Sequence, residues 1–397
     1  MLKELFKKEE KKVEYIELIY DLIFVYIIGR NNSLIHHTKD GFIPADMFLT
    51  YLLTTLIVLQ VWYYTTVFIN RYGTNGAAEY VMLFINMYLL YYMADSTTAS
   101  WRDQYNRYNI AWAMILLNIA VQYFLKLRKC PGSHPLLRQH ILFNIVLLAS
   151  EAAVVLLSIP LYHATGLPLS PIAMVAGVLI TLTLGSRYSK RIPVDFGHLS
   201  ERVMLYVVFT FGEMIIGIAG YFSGEFTLRN VYFSLMGFLI VAGLFLIYGY
   251  YYDHVIDREQ CTNGVGYMMI HILLITMLNN ITAALEFMRE PEVDEVRKNA
   301  FLVISFVLYF TFLFLTLCFA KSYHKPSRRF LLIAGGLTVL FAVMMAAFYR
   351  DSIVSIAVTV CYIYAMLALN IISGIRASHH HKLHDSTDDK ESLYECQ

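Results

Sequence analysis

The chain has 397 residues, of which 58% are hydrophobic and 15% charged, and it carries 31 Lys and Arg against 30 Asp and Glu. This composition excludes an ordinary soluble protein of two or three domains. A net charge of +1 gives no field that would attract nucleic acid or acidic ligands. We therefore expect an all-α fold, a polytopic transmembrane helical bundle whose partners are membrane lipids and not nucleic acid.

A charged head, residues 1–12, precedes the first apolar stretch, and a polar tail covers residues 376–397. The intervening connections are too short to fold into a soluble domain. Between head and tail, long apolar stretches predict about twelve helices. They lie near residues 13–29, 46–70, 78–95, 108–126, 139–160, 169–187, 202–222, 230–252, 265–286, 299–320, 329–348 and 352–375.

The distribution of positive charge predicts how the chain is oriented. With the N-terminus inside the cell, segments on the inner side hold 22 of the 31 Lys and Arg residues. Cytoplasmic segments retain positive charge, so this asymmetry indicates a multi-pass protein of the cell membrane with both termini cytoplasmic. The first apolar run is long and acidic and lacks a small-residue cleavage pattern, so we expect it to remain as the first span.

Two similar tracts suggest an internal duplication. Trp-Tyr-Tyr at 62–64 precedes Thr-Asn-Gly at 74–76, and Tyr-Tyr-Tyr at 250–252 precedes Thr-Asn-Gly at 262–264 with the same separation. An even number of spans separates the tracts, so the two units would run parallel in the membrane. A chance match in a Tyr-rich chain is the alternative. The expected six-helix halves are residues 13–190 and 191–375.

The first helix carries an unusual acidic stripe. Glu14, Glu17 and Asp21 fall within about 60° of one another on a helix, while the other sides are apolar. A charged side chain near the centre of a membrane helix costs about 2.5–3.5 kcal/mol, so the stripe should face protein or water. These carboxylates are candidates for a proton relay or a substrate site. A role in helix packing is the alternative, and for Glu14 an interfacial position.

The seventh helix offers a second acidic centre. Glu213 shares a face with Gly217, Gly220 and Gly224, and glycines at this spacing let another helix approach closely. Packing explains the glycines but not a carboxylate among them. If the duplication is real, this helix corresponds to the first one, and Glu213 would meet Glu17 and Asp21 in a shared pocket.

Several charged residues are expected near the cytoplasmic mouth. Arg202 lies eleven residues before Glu213, roughly 16 Å along the same helix. With His198 and Glu201 it could form a gate or attract anions. Arg71 could contact lipid headgroups or pair with an acidic residue. An exposed cluster that follows the positive-inside rule is the plainer interpretation of His198, Glu201 and Arg202, and contact with headgroups is the plainer one of Arg71.

Metal and enzyme chemistry have weaker support. Asp253, His254 and Asp257 have metal-like spacing, but local spacing does not supply a four-ligand set, so we expect neither metal nor cofactor. His271, inside the ninth helix, is a candidate proton carrier or a satisfied core histidine. No phosphate loop, nucleophile elbow or Cys/His pair appears, so an enzyme is not favoured. Glu151 and Glu286 are further acids in apolar runs without an assigned role.

Three tracts carry a resemblance to a known family. They are Glu17-Leu18-x-x-Asp21-Leu22-x-Phe24-Val25, the pair Arg71-Tyr72, and His198-Leu-Ser-Glu201-Arg202 followed by Gly212-Glu213. Together they resemble the signature of the bacterial low-temperature-requirement A (LtrA) family, over most of the chain. The resemblance implies a multi-pass membrane protein and, through the cold-growth phenotype that names the family, no particular reaction.

The leading functional hypothesis is a proton-coupled secondary transporter of a small solute, because parallel halves and buried carboxylates occur without a nucleotide-binding segment. One alternative is a lipid-binding or lipid-modifying protein with a polar cleft that opens to the bilayer beside Arg71 or Arg202. A second alternative is a channel, although no filter motif is present. Expected partners are membrane lipids, protons and an unknown solute, and a homo-oligomer is open.

Overall fold

The computed structural model describes residues 12–36, 38–97, 101–223 and 226–394, so residues 1–11 of the predicted head lie outside it. Within these ranges the chain forms twelve helices of eleven residues or more, which confirms the all-helical prediction. They are α1 Tyr15–Asn32, α2 Ala45–Tyr72, α3 Ala77–Ser96, α4 Trp101–Lys129, α5 Pro135–Thr165, α6 Ser170–Ile180, α7 Phe196–Gly217, α8 Leu228–Tyr250, α9 Val265–Phe287, α10 Glu295–Leu315, α11 Arg328–Ala347 and α12 Ser352–Tyr394. Helix α6 continues through a π-helical turn, Thr181–Gly185, into a last helical turn, Ser186–Ser189.

Eleven helical segments among the described residues are long and apolar enough to cross a membrane, and the chain is a multi-pass membrane protein. Only α1 falls short among the twelve helices. Its eighteen residues include Glu17, Asp21 and Arg30 and end in two asparagines. The two acids, the arginine and the terminal asparagines together make α1 less apolar than the other helices, and the surroundings of the acids decide how α1 is accommodated.

Prolines and glycines set several helix ends. Pro44 precedes α2, and Pro135 begins α5, where its missing N–H is not needed for the helical hydrogen bonds. Gly166 ends α5 with a φ of 72°, and its N–H donates to Tyr162 O over 2.8 Å. A left-handed residue at this position favours glycine because a side chain would be strained there.

One compact unit comprises residues 1–210 and 258–279. Helix α2 is deeply enclosed, since every residue from Ile57 to Asn70 is buried. Helices α1, α4 and α6 all contact α2, and α3, α4 and α5 pack on one another in chain order. Polar groups in residues 57–70 of α2 therefore face other parts of the protein.

A second compact unit comprises residues 211–257 and 280–397. In this unit α12 packs against α8 and α11, and α11 also packs against α10. A short bridge joins Ile256, just beyond α8, to Ala320, just beyond α10. The two units alternate along the chain, and the duplication into residues 13–190 and 191–375 stays a prediction.

Some helices extend beyond their predicted ends. Helix α12 runs for 43 residues, to Tyr394, although its apolar pattern ends near residue 375. The sequence contains no proline after Ser352 and no glycine after Gly374, so nothing in it forces the helix to stop. Helix α7 begins at Phe196, six residues before its predicted start, and this extra turn and a half carries His198.

Candidate functional site

The acidic stripe of α1 is enclosed in the first unit. Glu17 and Asp21 are one helical turn apart, and their exposed fractions are 1% and 0%. The expectation that these carboxylates avoid lipid agrees with this burial. Glu14 lies immediately before the first residue of α1, and its backbone carbonyl accepts hydrogen bonds from the N–H groups of Glu17 and Leu18. Glu14 is half-buried, so it marks the edge of the stripe.

A single guanidinium binds both buried carboxylates. Arg202 on α7 donates from Nη2 to Asp21 Oδ1 over 2.8 Å and from Nε to Asp21 Oδ2 over 3.1 Å. Its Nη1 donates to Glu17 Oε2 over 2.9 Å. Arg202 is itself 0% exposed. Two-point pairing of this kind is the geometry in which arginine binds carboxylates most strongly, and lysine cannot reproduce it.

An indole completes the hydrogen bonding of Asp21. Trp62 on α2 donates from Nε1 to Asp21 Oδ1 over 2.9 Å. The Trp62 ring stacks on Tyr206 of α7, with centroids 4.5 Å apart and an angle of 21° between the planes. The Asp21 carboxylate thus accepts three hydrogen bonds from two helices, which offsets much of the cost of burying its charge.

A histidine of defined tautomer faces Glu17. Asn70 Oδ1 accepts from Asp195 N over 3.0 Å, which fixes the orientation of the Asn70 amide. Its Nδ2 then donates to Asp195 O over 2.9 Å and to His198 Nδ1 over 3.0 Å. Because Nδ1 of His198 accepts, the ring proton lies on Nε2, which is 3.3 Å from Glu17 Oε1.

The start of α7 positions both of the side chains that bind the α1 carboxylates. The side chain of Asp195 accepts from His198 N over 3.1 Å and so caps the helix. Arg202 follows His198 by four residues and therefore lies on the same face, one turn deeper in the unit. The spacing His-x-x-x-Arg on α7 matches the spacing Glu-x-x-x-Asp on α1, so each helix contributes two interacting side chains.

A comparison with known families identifies the family of this chain. The profile of the bacterial low temperature requirement A protein (LtrA) family matches residues 12–368, nearly the whole chain. The chain belongs to the LtrA family. No curated protein matches it closely enough to be reported as a relative. The two LtrA-like tracts that are 181 residues apart in sequence are the ones that meet here, through Glu17, Asp21, His198 and Arg202.

The position of Arg202 in this LtrA protein differs from the predicted one. Sequence reasoning measured its distance from Glu213 along α7 and placed it at an exposed cytoplasmic mouth with His198. The structure instead buries both side chains against α1, and His198 is only 2% exposed. The sequence paired α1 with α7 only through the expected duplication and Glu213, and not through Arg202. Glu201 is half-buried and points away from the cluster, because it is one residue from Arg202 on a helix.

Arg71 also has protein partners in the structure. It donates from Nε to Ile192 O over 3.1 Å and from Nη2 to Asn263 O over 2.9 Å. The Asn263 side chain in turn donates to Ser186 Oγ over 2.9 Å. Arg71 therefore joins the end of α2 to the loops before α7 and α9, instead of extending toward headgroups as one sequence interpretation had it.

The remaining predicted site residues lie on α7, on α9 and just after α8. Glu213 is half-buried and lies in the second unit, so its predicted meeting with the α1 carboxylates stays a prediction. His271 is 1% exposed and donates from Nδ1 to Tyr267 O over 2.8 Å. Asp253 and His254 are exposed at the end of α8. No group of three metal-ligating side chains, with or without Asp257, occurs in the described part of the chain.

The glycine face of α7 packs as predicted at two of its positions. A Cβ added to Gly217 would lie 2.6 Å from Glu286 Oε1, and one added to Gly220 would collide with the Arg289 guanidinium. All four residues belong to the second unit. Gly224, the third predicted position, lies outside the described residues. The glycines thus admit charged side chains to the surface of α7.

Sequence reasoning missed the contribution of α2. Trp62 and Asn70 bind Asp21 and His198, and neither was a candidate. Their signal was available, because a buried amide or indole in a membrane helix needs a hydrogen-bonding partner. Gln60 and Tyr64, on the opposite side of α2, bind a further acid, Glu151 of α5, which had no predicted role.

Proposed function

We propose that this LtrA protein is a secondary transporter that couples movement of a small solute to protons, with Glu17, Asp21 and Arg202 as its working centre. One observation carries the proposal: two buried carboxylates of α1 share one guanidinium of α7. Intramembrane ionisable residues commonly mark ion or proton pathways, and a shared cation lets protonation of one carboxylate change the pairing of the other.

The proposed cycle depends on a change in this pairing. Protonation of Glu17 or Asp21 removes one of the charges that hold Arg202, and breaking one arm of a buried ion pair costs about 3–5 kcal/mol. A free-energy change of that size is enough to shift the equilibrium between two helix arrangements by a large factor. The Nε2–H group of His198 would donate a hydrogen bond to the ionised Glu17 carboxylate, so protonation of Glu17 would weaken this contact as well. Glu213, Glu14 and His271 are further candidates for the same pathway.

We further propose that the protein resides in the cell membrane with both termini cytoplasmic, on the basis of the distribution of Lys and Arg. The alternative of a lipid headgroup site beside Arg202 or Arg71 has less support, because Arg202 is fully buried and Arg71 donates to two backbone carbonyls. A headgroup contact at either residue would need these bonds to be replaced.

The test is flux in proteoliposomes of the full chain under an imposed pH gradient, with a panel of amino acids, organic acids, sugars and amines. We expect at least one solute to move only with the gradient, and Glu17→Gln and Asp21→Asn to abolish coupling. Glu79→Gln is the matched control, because Glu79 lies in α3 and pairs with Lys126 over 2.6 Å away from the cluster. Size-exclusion profiles show whether each variant is folded.

Two results would overturn the proposal. The first is the absence of gradient-driven flux across the panel together with unchanged cellular function in folded Glu17→Gln. The second is single-channel steps in a planar bilayer, which would assign the protein to the channels.

A further inference from the structure

A second buried polar cluster lies in the first unit, on the side of α2 that faces away from Asp21. Its members are Glu151 on α5, Gln60 and Tyr64 on α2, and Thr181 at the π-helical turn that follows α6. Glu151 is 4% exposed, Gln60 3% and Thr181 4%. Positions 60 and 64 share one face of α2, whereas Trp62 lies on the opposite face. Helix α2 therefore separates this cluster from the Arg202 site.

The hydrogen bonds within the cluster do not satisfy all of its oxygen atoms. Tyr64 donates its hydroxyl proton to Glu151 Oε2 over 2.8 Å and accepts from Gln60 Nε2 over 2.9 Å. The same Nε2 approaches Met174 O at 3.4 Å. Three buried oxygens in the described structure lack a partner at good hydrogen-bonding geometry: Glu151 Oε1, Gln60 Oε1 and Thr181 Oγ1, the last of which belongs to a side chain beside the Tyr64 hydroxyl. Buried polar atoms are normally satisfied, so three in side chains that all adjoin Tyr64 need an explanation.

The helix that faces the cluster is shaped to admit these side chains. A Cβ added to Gly177 would lie 2.5 Å from Glu151 Oε2 and 2.6 Å from Gln60 Nε2. Immediately after α6, the backbone widens into the π-helical turn that begins at Thr181. Such turns are rare and are frequent at functional sites. Gly177 and the π-helical turn together leave room for these polar side chains, whereas the side chains of an ordinary apolar helix would occupy that space.

The chemistry of the three oxygens defines the ligand. They are a carboxylate, an amide carbonyl and a hydroxyl, a set of hard oxygen donors with one negative charge. Divalent cations in proteins usually take more than one carboxylate or keep several waters, and an anion would be repelled by Glu151. We propose that Glu151, Gln60 and Thr181 form a binding site for a hard monovalent cation such as Na⁺.

This proposal does not depend on transport. A cation bound here would neutralise Glu151 and stabilise the packing of α2, α5 and α6 whether or not the protein moves a solute. The competing explanation is a protonated Glu151, whose Oε1–H would itself be a donor to a neighbouring oxygen. That alternative predicts no specific effect of alkali cations, and so the two explanations differ in a direct measurement.

The experiment is thermal unfolding of the purified full chain in detergent, in NaCl, KCl or choline chloride at one fixed ionic strength. A ligand that binds only the folded state raises the midpoint, with a concentration dependence that gives the dissociation constant. We expect a saturable rise with Na⁺ or K⁺ relative to choline. Equilibrium binding of radioactive ²²Na⁺ measures the same site independently of stability.

Two variants with matched controls test the ligands. Thr181→Val removes one oxygen without changing shape, and we expect it to weaken cation binding by about tenfold or more. Thr183→Val is its control, because the Thr183 hydroxyl is exposed and donates to Leu179 O over 2.7 Å. Glu151→Gln should abolish the cation response, whereas Glu286→Gln, another acid in a membrane helix, should retain it.

Equal midpoints in all three salts for the wild-type chain would overturn the proposal, as would equal ²²Na⁺ binding by the wild type, Thr181→Val and Glu151→Gln. If Glu151→Gln does not fold, Thr181→Val decides the question alone. If no gradient-driven flux is found but the response to cations is present, the proposed transport function is wrong and the proposed cation site is supported.

Discussion

Arg202 holds Asp21 with two parallel hydrogen bonds, Nη2 to Oδ1 at 2.8 Å and Nε to Oδ2 at 3.1 Å, and both residues are 0% exposed. This pair joins α7 to α1 in the interior of the first unit. Its third donor, Nη1, binds Glu17. The stability of the α1–α7 contact should therefore depend on this guanidinium more than on any other side chain of α7.

A double-mutant cycle measures that dependence. We expect Arg202→Gln to lower the free energy of unfolding by about 3–5 kcal/mol, since it leaves two buried carboxylates without their cation. Asp21→Asn should lower it by less, because Arg202 keeps its bond to Glu17. The double variant should be less destabilised than the sum, with a coupling energy of about 0.5–3 kcal/mol. Additive effects in chemical or thermal unfolding would show that the two side chains do not act as a pair.

The hydrogen bond from Trp62 to Asp21 can be separated from the volume of the indole. Trp62→Phe should destabilise the protein by about 1–3 kcal/mol more than Trp112→Phe. Both indoles are fully buried in the first unit, but Nε1 of Trp112 has no hydrogen-bonding partner in the described structure. Thermal unfolding of the two variants makes the comparison, and equal losses would contradict a specific role of the Trp62 N–H.

Arg71 should control the order of the two loops that it joins. Arg71→Lys loses the planar group that reaches Ile192 O and Asn263 O together. We expect faster limited proteolysis at residues 190–195 and 258–264, with cleavage sites located by mass spectrometry. Arg107→Lys is the control, because Arg107 pairs with Asp95 at an exposed position where an ion pair contributes little. Unchanged cleavage in Arg71→Lys would show that Arg71 does not hold the two loops in place.

The glycine face of α7 gives a matched pair of substitutions. Gly217→Ala would place a Cβ 2.6 Å from both Thr282 Cγ2 and Glu286 Oε1, and we expect a loss of about 1–3 kcal/mol from overpacking. Gly212→Ala has no atom within 4 Å of the added Cβ and should be neutral or slightly stabilising. Unfolding midpoints compare them. A neutral Gly217→Ala would mean that the neighbouring side chains can move away.

His324, which lies between the spans α10 and α11, predicts a dependence of stability on pH. Burial lowers the pKa of His324 below its ordinary 6.5, with the positive charges of Lys321 and His254 as further causes. The unfolded chain therefore binds this proton more readily than the folded protein. The contribution of His324 to stability is complete above pH 6.5 and falls as the pH drops below that value.

His324→Asn should accordingly reduce the loss of thermal stability between pH 7 and pH 5. The measurement is the unfolding midpoint of the wild type and the variant across that range. Parallel curves for the two proteins would exclude His324 as a contributor.

The class of fold could be read from the sequence, because lipid imposes long apolar helices and the chain has few other ways to satisfy its backbone. The acidic stripe could also be predicted, since Glu17 and Asp21 lie one turn apart in an apolar run. Even the pairing of the first and seventh helices was anticipated. The residue that makes that contact was not, because Arg202 was assigned by its distance from Glu213 on its own helix.

The sequence could not show which helices lie next to one another. Periodicity places a side chain on a face of its helix but does not say which helix that face meets. Trp62, Asn70 and Gln60 all lie on α2 and look like isolated polar residues until α1, α5 and α7 surround them. Arg71 and Arg202 are both arginines near helix ends, yet one binds backbone carbonyls and the other binds carboxylates.

The separation of 181 residues between Asp21 and Arg202 has a consequence for biosynthesis. At about 5–20 residues per second, the ribosome needs roughly 10–40 s to make the intervening chain. During that interval Glu17 and Asp21 of α1 have no guanidinium partner, because Arg202 has not yet been synthesised. The buried ion pairs of α1 can therefore form only after the seventh helix has been made.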